Sequence, residues 1–144
     1  MKVTEVMHTP AVTCRPEDHV GDVARAMRDR QVGSVVVIDR VGEVAGIVTD
    51  RDLALRCVAD GRSADIEVAE VMSRDVATVD PHADVDTAAK TMLQRGVRRL
   101  PVVDEFGAAH GLVALDDLVR LTARQAGDLG DLLRDQVTSV HSAL

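Results

Sequence analysis

Apolar residues recur at two periods along this chain, and the switches between them outline its elements. Val20, Val23, Ala24 and Met27 are spaced i, i+3, i+4, i+7, one face of a helix. Val85, Ala88, Ala89 and Met92 repeat that spacing. Asp18 or His19 in the first case, and Asp84 in the second, stand where helix caps are expected. Uninterrupted apolar runs follow, Val35-Val36-Val37-Ile38 and Leu100-Pro101-Val102-Val103, as in strands buried on both faces. Asp39 to Gly42 and Asp104 to Gly107 are turn chemistry. The chain returns as Ala45-Gly46-Ile47-Val48 and His110-Gly111-Leu112-Val113, and a further helix is expected from near Asp50 or Asp116. Short extended pieces, Ala11 to Cys14 and Val76 to Val79, precede the first helix of each set and are closed by Pro16 and Pro81.

Each set therefore reads strand, helix, strand, strand, helix, and the two sets are copies. Residues 6 to 53 align with residues 71 to 118 without a gap at an offset of 65, and 16 of the 48 positions are identical. Two copies at this period suggest a pair of matched halves, each covering the other's apolar face. The boundaries expected are a first repeat over 1–60, a linker over 61–70, a second repeat over 71–122 and a helical tail over 123–144. Gly61 is placed to end the first repeat's last helix. Leu121, Leu129, Leu132, Leu133 and Val137 are the tail's apolar points, while Gly127 and Gly130 weaken a helix there. Such a tail packs either on its own domain or on a second subunit.

Composition narrows the function. At 144 residues with 46% apolar content, the chain is long enough for a real core. No apolar run approaches the roughly 20 residues of a membrane span. The start, MKVTEVMHTP, lacks the apolar stretch of a signal peptide, so cytoplasmic residence is the default expectation. A net charge of −7 and a single aromatic residue, Phe106, argue against nucleic acid as a partner, which calls for a basic face or stacking platforms. A small nucleotide stays compatible, with its base between aliphatic side chains. Cys14 and Cys57 have Val79 and Thr122 as counterparts, so neither belongs to a repeated framework. They read as small buried hydrophobes of a reducing compartment, or as redox or intermolecular thiols.

The opening Val-Met of each copy, the VVVID and PVVDE strands, and above all GIVTDRDL resemble the CBS domain, the cystathionine-β-synthase type of regulatory repeat. The resemblance covers residues 3 to about 122 and is that of a stand-alone pair of the short actinobacterial kind. It implies an α/β (α+β) fold of tandem repeats, each β-α-β-β-α, packed with pseudo-two-fold symmetry, and a homodimer of such pairs. It also implies one or two clefts for adenosine-containing ligands such as AMP, ATP or S-adenosylmethionine, with no cofactor required.

Within that frame, the differences between copies carry the chemistry. Thr49 stands at a strand-to-helix junction, where unpaired N–H groups favour an anion, and Asp52 is one turn on. A hydroxyl and a carboxylate at this spacing suit a ribose phosphate. Thr-x-x-Asp also resembles a capping box, which stabilises a helix by about 1 kcal/mol and requires no ligand. The second copy keeps Asp117 but carries Ala114 in place of Thr49, with Asp116 as an alternative cap, so asymmetric occupancy is expected. Where the first copy has Gly33-Ser34, the second has Arg98-Arg99. The family resemblance turns these arginines toward the cleft of the other copy's ribose motif, as phosphate clamps. Their alternative is surface ion pairing in an acidic protein. The adenine is expected near Thr78 and Val79, and Arg51 either reaches a phosphate or points to solvent. Val36 stands where the family has proline, as Pro101 does in the second copy; that departure bears on strand shape.

No phosphate loop, dinucleotide fingerprint or His-x-x-x-His is present, and the five histidines lack metal-ligand spacing. Asp50 with Asp52, and Asp116 with Asp117, are either Mg²⁺ ligands or solvated helix starts, and solvation is the expectation. No enzyme activity and no metal are expected. The leading reading is a ligand-sensing module that signals to a regulated protein of unknown identity. Its alternatives are a structural or protein-interaction dimer without bound nucleotide, and a thiol redox sensor.

Overall fold

The computed structural model describes residues 1–124 and 133–138. The first repeat comprises β1 (Thr13–Cys14), α1 (Val20–Arg30), β2 (Ser34–Ile38), β3 (Val44–Thr49) and α2 (Asp50–Leu53), which runs on as a π-helical turn (Ala54–Val58). The second comprises α3 (Val85–Arg95), β4 (Arg99–Val103), β5 (Ala109–Ala114) and α4 (Leu115–Arg124). Gly61 follows the first repeat's last helix with φ of +67°. The expected order is therefore present in the first repeat, and the second departs from it at one element.

That element is the strand before α3. In the first repeat β1 pairs in parallel with β2, and β2 pairs antiparallel with β3. One rung of the first pairing is the Val36 N–H donating to the Val12 carbonyl at 2.9 Å. The second repeat has Pro101 in place of Val36, and proline has no N–H to donate. Pairing there shrinks to a single bridge between Val79 and Val102, beside the two-stranded β4–β5 sheet. A single imino acid thus explains why the two copies differ in sheet size.

α1 and α3 begin where the caps were expected, with His19 and Asp84 at the N-cap positions, but neither side chain bonds the helix. Asp18 instead accepts from the Arg15 N–H at 2.8 Å, and Asp84 pairs with Lys2 at 3.1 Å. Both helices end in a left-handed residue, Gln31 (φ +55°) and Gly96 (φ +64°). The second choice fits that conformation without cost.

The compact units do not follow the repeat boundary. One consists of Ala11–Val76 with Phe106–Ala109; the other of Met1–Pro10, Ala77–Glu105 and the described residues from His110 onward. Each unit thus joins the body of one repeat to the leading segment of the other. The leading segments, with 3₁₀ turns at Val3–Glu5 and Val68–Glu70, match at the same offset of 65. His8 exchanges backbone hydrogen bonds with Leu112 at 2.9 and 3.0 Å, and Ser73 does the same with Ile47 at 2.9 and 3.0 Å.

This exchange gives Gly46 and Gly111 a physical reason. A Cβ at Gly46 would stand 2.7 Å from the Ser73 carbonyl oxygen, and one at Gly111 2.5 Å from that of His8. Only glycine lets the strand approach the leading segment so closely. Apolar burial completes each unit. Val68 and Val71 join Val20, Val23, Met27, Val35, Val37 and Val48 in one core. Val3 joins Ala88, Met92, Leu100, Val102, Val113, Leu115 and Leu118 in the other. In the tail, residues 133–138 are helical; Leu133 is buried in this second core and Val137 packs against it, so that segment packs on its own unit. Leu129 and Leu132 lie outside the described residues.

Candidate functional site

The first ribose motif assembles as a reciprocal cap. β3 ends at Thr49, whose extended backbone (φ −112°, ψ 162°) makes it the N-cap of α2. The Thr49 N–H donates to Asp52 Oδ2 at 2.9 Å, and the Asp52 N–H donates to Thr49 Oγ1 at 3.1 Å. The capping alternative is therefore realised, and it also brings the two residues together at a strand end. With Oδ2 committed, Oδ1 is the remaining acceptor oxygen of Asp52. Arg56 Nε lies 3.8 Å from it, beyond hydrogen-bond distance. The Arg56 guanidinium instead donates to the carbonyls of Val71 (3.2 Å) and Met72 (3.4 Å), tying the helix to the leading segment of its unit.

The second motif keeps half of this box. The Ala114 N–H donates to Asp117 Oδ2 at 3.2 Å, but Ala114 has no hydroxyl to return the bond. Asp116 does not cap α4; it meets Arg98 at 3.3 Å, because the Leu115 N–H donates to the Arg98 carbonyl at 2.8 Å and holds the arginine at the helix start. Arg98 thus takes the ion-pair alternative, while Arg99 opens β4 partly buried. Asp117 Oδ1 receives His8 Nε2 at 3.0 Å, with Arg120 3.8 Å away.

The remaining candidates scatter. Arg51 is exposed, and its backbone N–H donates to Asp50 Oδ1 at 2.8 Å. Thr78 is exposed, while Val79 is a core residue at 5% exposure. Thr49, Arg51 and Asp52 belong to one compact unit, and Thr78, Val79, Arg98, Arg99 and Asp117 to the other. Among the described residues, no three His, Cys, Asp or Glu side chains are grouped to hold a metal ion.

Neither Arg56 nor His8 belongs to a motif in the sequence. Both are positions where the copies differ, Arg56 against Leu121 and His8 against Ser73, so the signal was present in the repeat. The cysteines show the opposite outcome. Burial, reinforced by the nearby Asp18 charge, pushes the Cys14 thiol up to about 12, which suppresses the reactive thiolate. Cys57 is buried, with Sγ 3.5 Å from the Arg62 carbonyl.

Residues 3–58 and 68–124 match the family model of the CBS domain. The chain belongs to the CBS domain family. The two matches begin at the two 3₁₀ turns, so the CBS repeat includes the exchanged leading segment. Among relatives, the CBS domain-containing protein YhcV of Bacillus subtilis is 37% identical over 116 residues, 81% of each chain. An uncharacterized protein of Methanopyrus kandleri, MK0525, is 35% identical over 122 residues, 84% of this chain; the match spans 62% of that relative's length. The fold is that of the CBS domain pair of protein MJ0100, solved in complex with 5′-methylthioadenosine and S-adenosyl-L-methionine. The TM-score is 0.80 at 24% identity, covering 88% of this chain and 98% of that one. No helix among the described residues is long and apolar enough to cross a membrane.

Proposed function

We propose that this CBS pair is a regulatory, ligand-sensing module for an adenosine-containing nucleotide of the AMP, ATP or S-adenosylmethionine class. One observation carries the reading: Asp52 Oδ1 stands beyond hydrogen-bond distance of Arg56, the cation facing it, while Oδ2 and the Thr49 hydroxyl hold each other's backbone in place. A fixed carboxylate with one oxygen left to accept suits the hydroxyls of a ribose. Arg98 and Arg99, supplied by the other repeat, bring charge for a phosphate or carboxylate. For Arg98 this means exchanging Asp116 for the ligand's anion. The CBS family resemblance implies a ligand cleft between the repeats, and on that basis Thr78 is assigned to the adenine and Arg51 to the phosphates. Aliphatic side chains take the place of aromatic ones, since the chain has no Trp or Tyr. The adenosyl ligands of the MJ0100 pair support this class.

The module acts as a homodimer in the cytoplasm and is not itself catalytic. A bound nucleotide changes its affinity for a regulated protein by no more than the ligand's differential affinity for the two states. The Arg98–Asp116 pair favours a second reading, an interaction module that works without nucleotide. A thermal-shift series with AMP, ATP and S-adenosylmethionine separates the two. A rise in Tm with one of them supports sensing, and no shift with any supports the second reading. The absorption spectrum adds a check, because a co-purified purine would dominate at 260 nm in a protein without Trp or Tyr.

A further inference from the structure

We infer that His8 sets how many ligands the chain takes, by occupying the ribose-accepting oxygen of the second repeat. The inference rests on reading Asp52 and Asp117 as ribose carboxylates. In both repeats Oδ2 is committed to the backbone N–H three residues earlier, at 2.9 Å from Thr49 and 3.2 Å from Ala114. In both, a guanidinium stands 3.8 Å from Oδ1, Arg56 in the first repeat and Arg120 in the second. The carboxylates are otherwise alike, with side chains 16% and 11% exposed.

What differs is the residue brought alongside by the exchanged leading segment. His8 and Ser73 are equivalent positions with equivalent backbone pairing, to Leu112 and to Ile47. The imidazole reaches Asp117 and places Nε2 3.0 Å from Oδ1. A carboxylate only accepts, so Nε2 carries the proton and donates. This is the bond a ribose hydroxyl would make, already made inside the chain. Ser73 carries a short hydroxymethyl group, and among the described residues only the distant Arg56 guanidinium faces the Asp52 oxygen. The second repeat therefore loses its ribose site twice, once through Ala114 and once through His8.

The test exchanges the two residues and reads stoichiometry by calorimetry with AMP, ATP and S-adenosylmethionine. Wild type is expected to bind one ligand per chain. His8→Ser should add a second, weaker site, and Asp117→Ala in that background should remove it. Ser73→His should weaken the first site by roughly tenfold or more, the range expected for competition with a charge-assisted hydrogen bond. A single ligand in His8→Ser, or an unchanged first-site affinity in Ser73→His, overturns the role of His8 while leaving the nucleotide reading intact. No binding to wild type by any of the three overturns both. The backbone bonds of His8 are independent of its side chain, so His8→Ser is expected to fold, and a two-state urea transition like that of wild type checks it.

Discussion

Thr49→Ala turns the first motif into a copy of the second and separates capping from ligand binding. The substitution removes the bond from the Asp52 N–H to Thr49 Oγ1, 3.1 Å long. It leaves the bond from the Thr49 N–H to Asp52, since Ala114 and Asp117 make that bond without any hydroxyl. The loss is therefore one N-cap interaction, about 1 kcal/mol of stability. For a chain of this length that lowers Tm by roughly 2–4 °C. A ligand contact made by the same hydroxyl adds a separate affinity loss of about two- to tenfold, one neutral hydrogen bond. Urea denaturation without ligand gives the first quantity, and calorimetric titration gives the second. The reverse change, Ala114→Thr, completes the box in the second repeat and should recover about 1 kcal/mol. A stability loss of the expected size with unchanged affinity would refute a ligand-facing Thr49 and leave it a cap alone.

Three further outcomes follow from the fold. Gly46→Ala and Gly111→Ala each drive a Cβ into a backbone carbonyl that cannot swing away, at 2.7 and 2.5 Å, and should cost about 1–3 kcal/mol in urea denaturation. A cost below 0.5 kcal/mol would mean that the leading segments are not held against the strands. Gln31→Gly should stabilise by about 1 kcal/mol by relieving a left-handed non-glycine residue, whereas Gly96→Gln should destabilise by a similar amount. The Cys14 thiol titrates higher in the folded chain than its ordinary value of 9.0, at about 12. Folding therefore favours the protonated form: its contribution is complete below about pH 9 and is lost as pH rises toward 12. Cys14→Ala should flatten the fall in urea midpoint over that window, and alkylation of native Cys14 at pH 8 should be far slower than after unfolding.

Much of the fold was legible because its signals are local. Helical spacing from Val20 to Met27, the apolar run at Val35, and the Asp39-x-x-Gly42 turn each report a structure that forms within its own segment. The exchange of leading segments is not local: Val3 packs with Met92 and Leu118, far away in sequence. Only the recurrence of Gly46 and Gly111 hinted at a close partner, and a glycine does not name what approaches it. Val36 against Pro101 was legible as a difference bearing on strand shape, although its consequence, one rung more in the first repeat, required the partner carbonyl of Val12 to be known. At the site, Thr49 and Asp52 were legible as a pair because three residues of helix bring them together. His8 was hidden for the opposite reason, lying 109 residues from the carboxylate it meets. The Arg98–Asp116 pair shows a third limit. Sequence places a charge at a helix start without choosing between an internal carboxylate and a ligand's anion.

The central claim is that the repeat is matched in scaffold and unmatched in ligand chemistry, with Asp52 as the working carboxylate. Calorimetric titration of Asp52→Ala and Asp117→Ala with AMP, ATP and S-adenosylmethionine tests it most directly. The expected result is abolished binding in Asp52→Ala and near wild-type affinity in Asp117→Ala. Equal losses from both substitutions, or binding that survives Asp52→Ala, would contradict it.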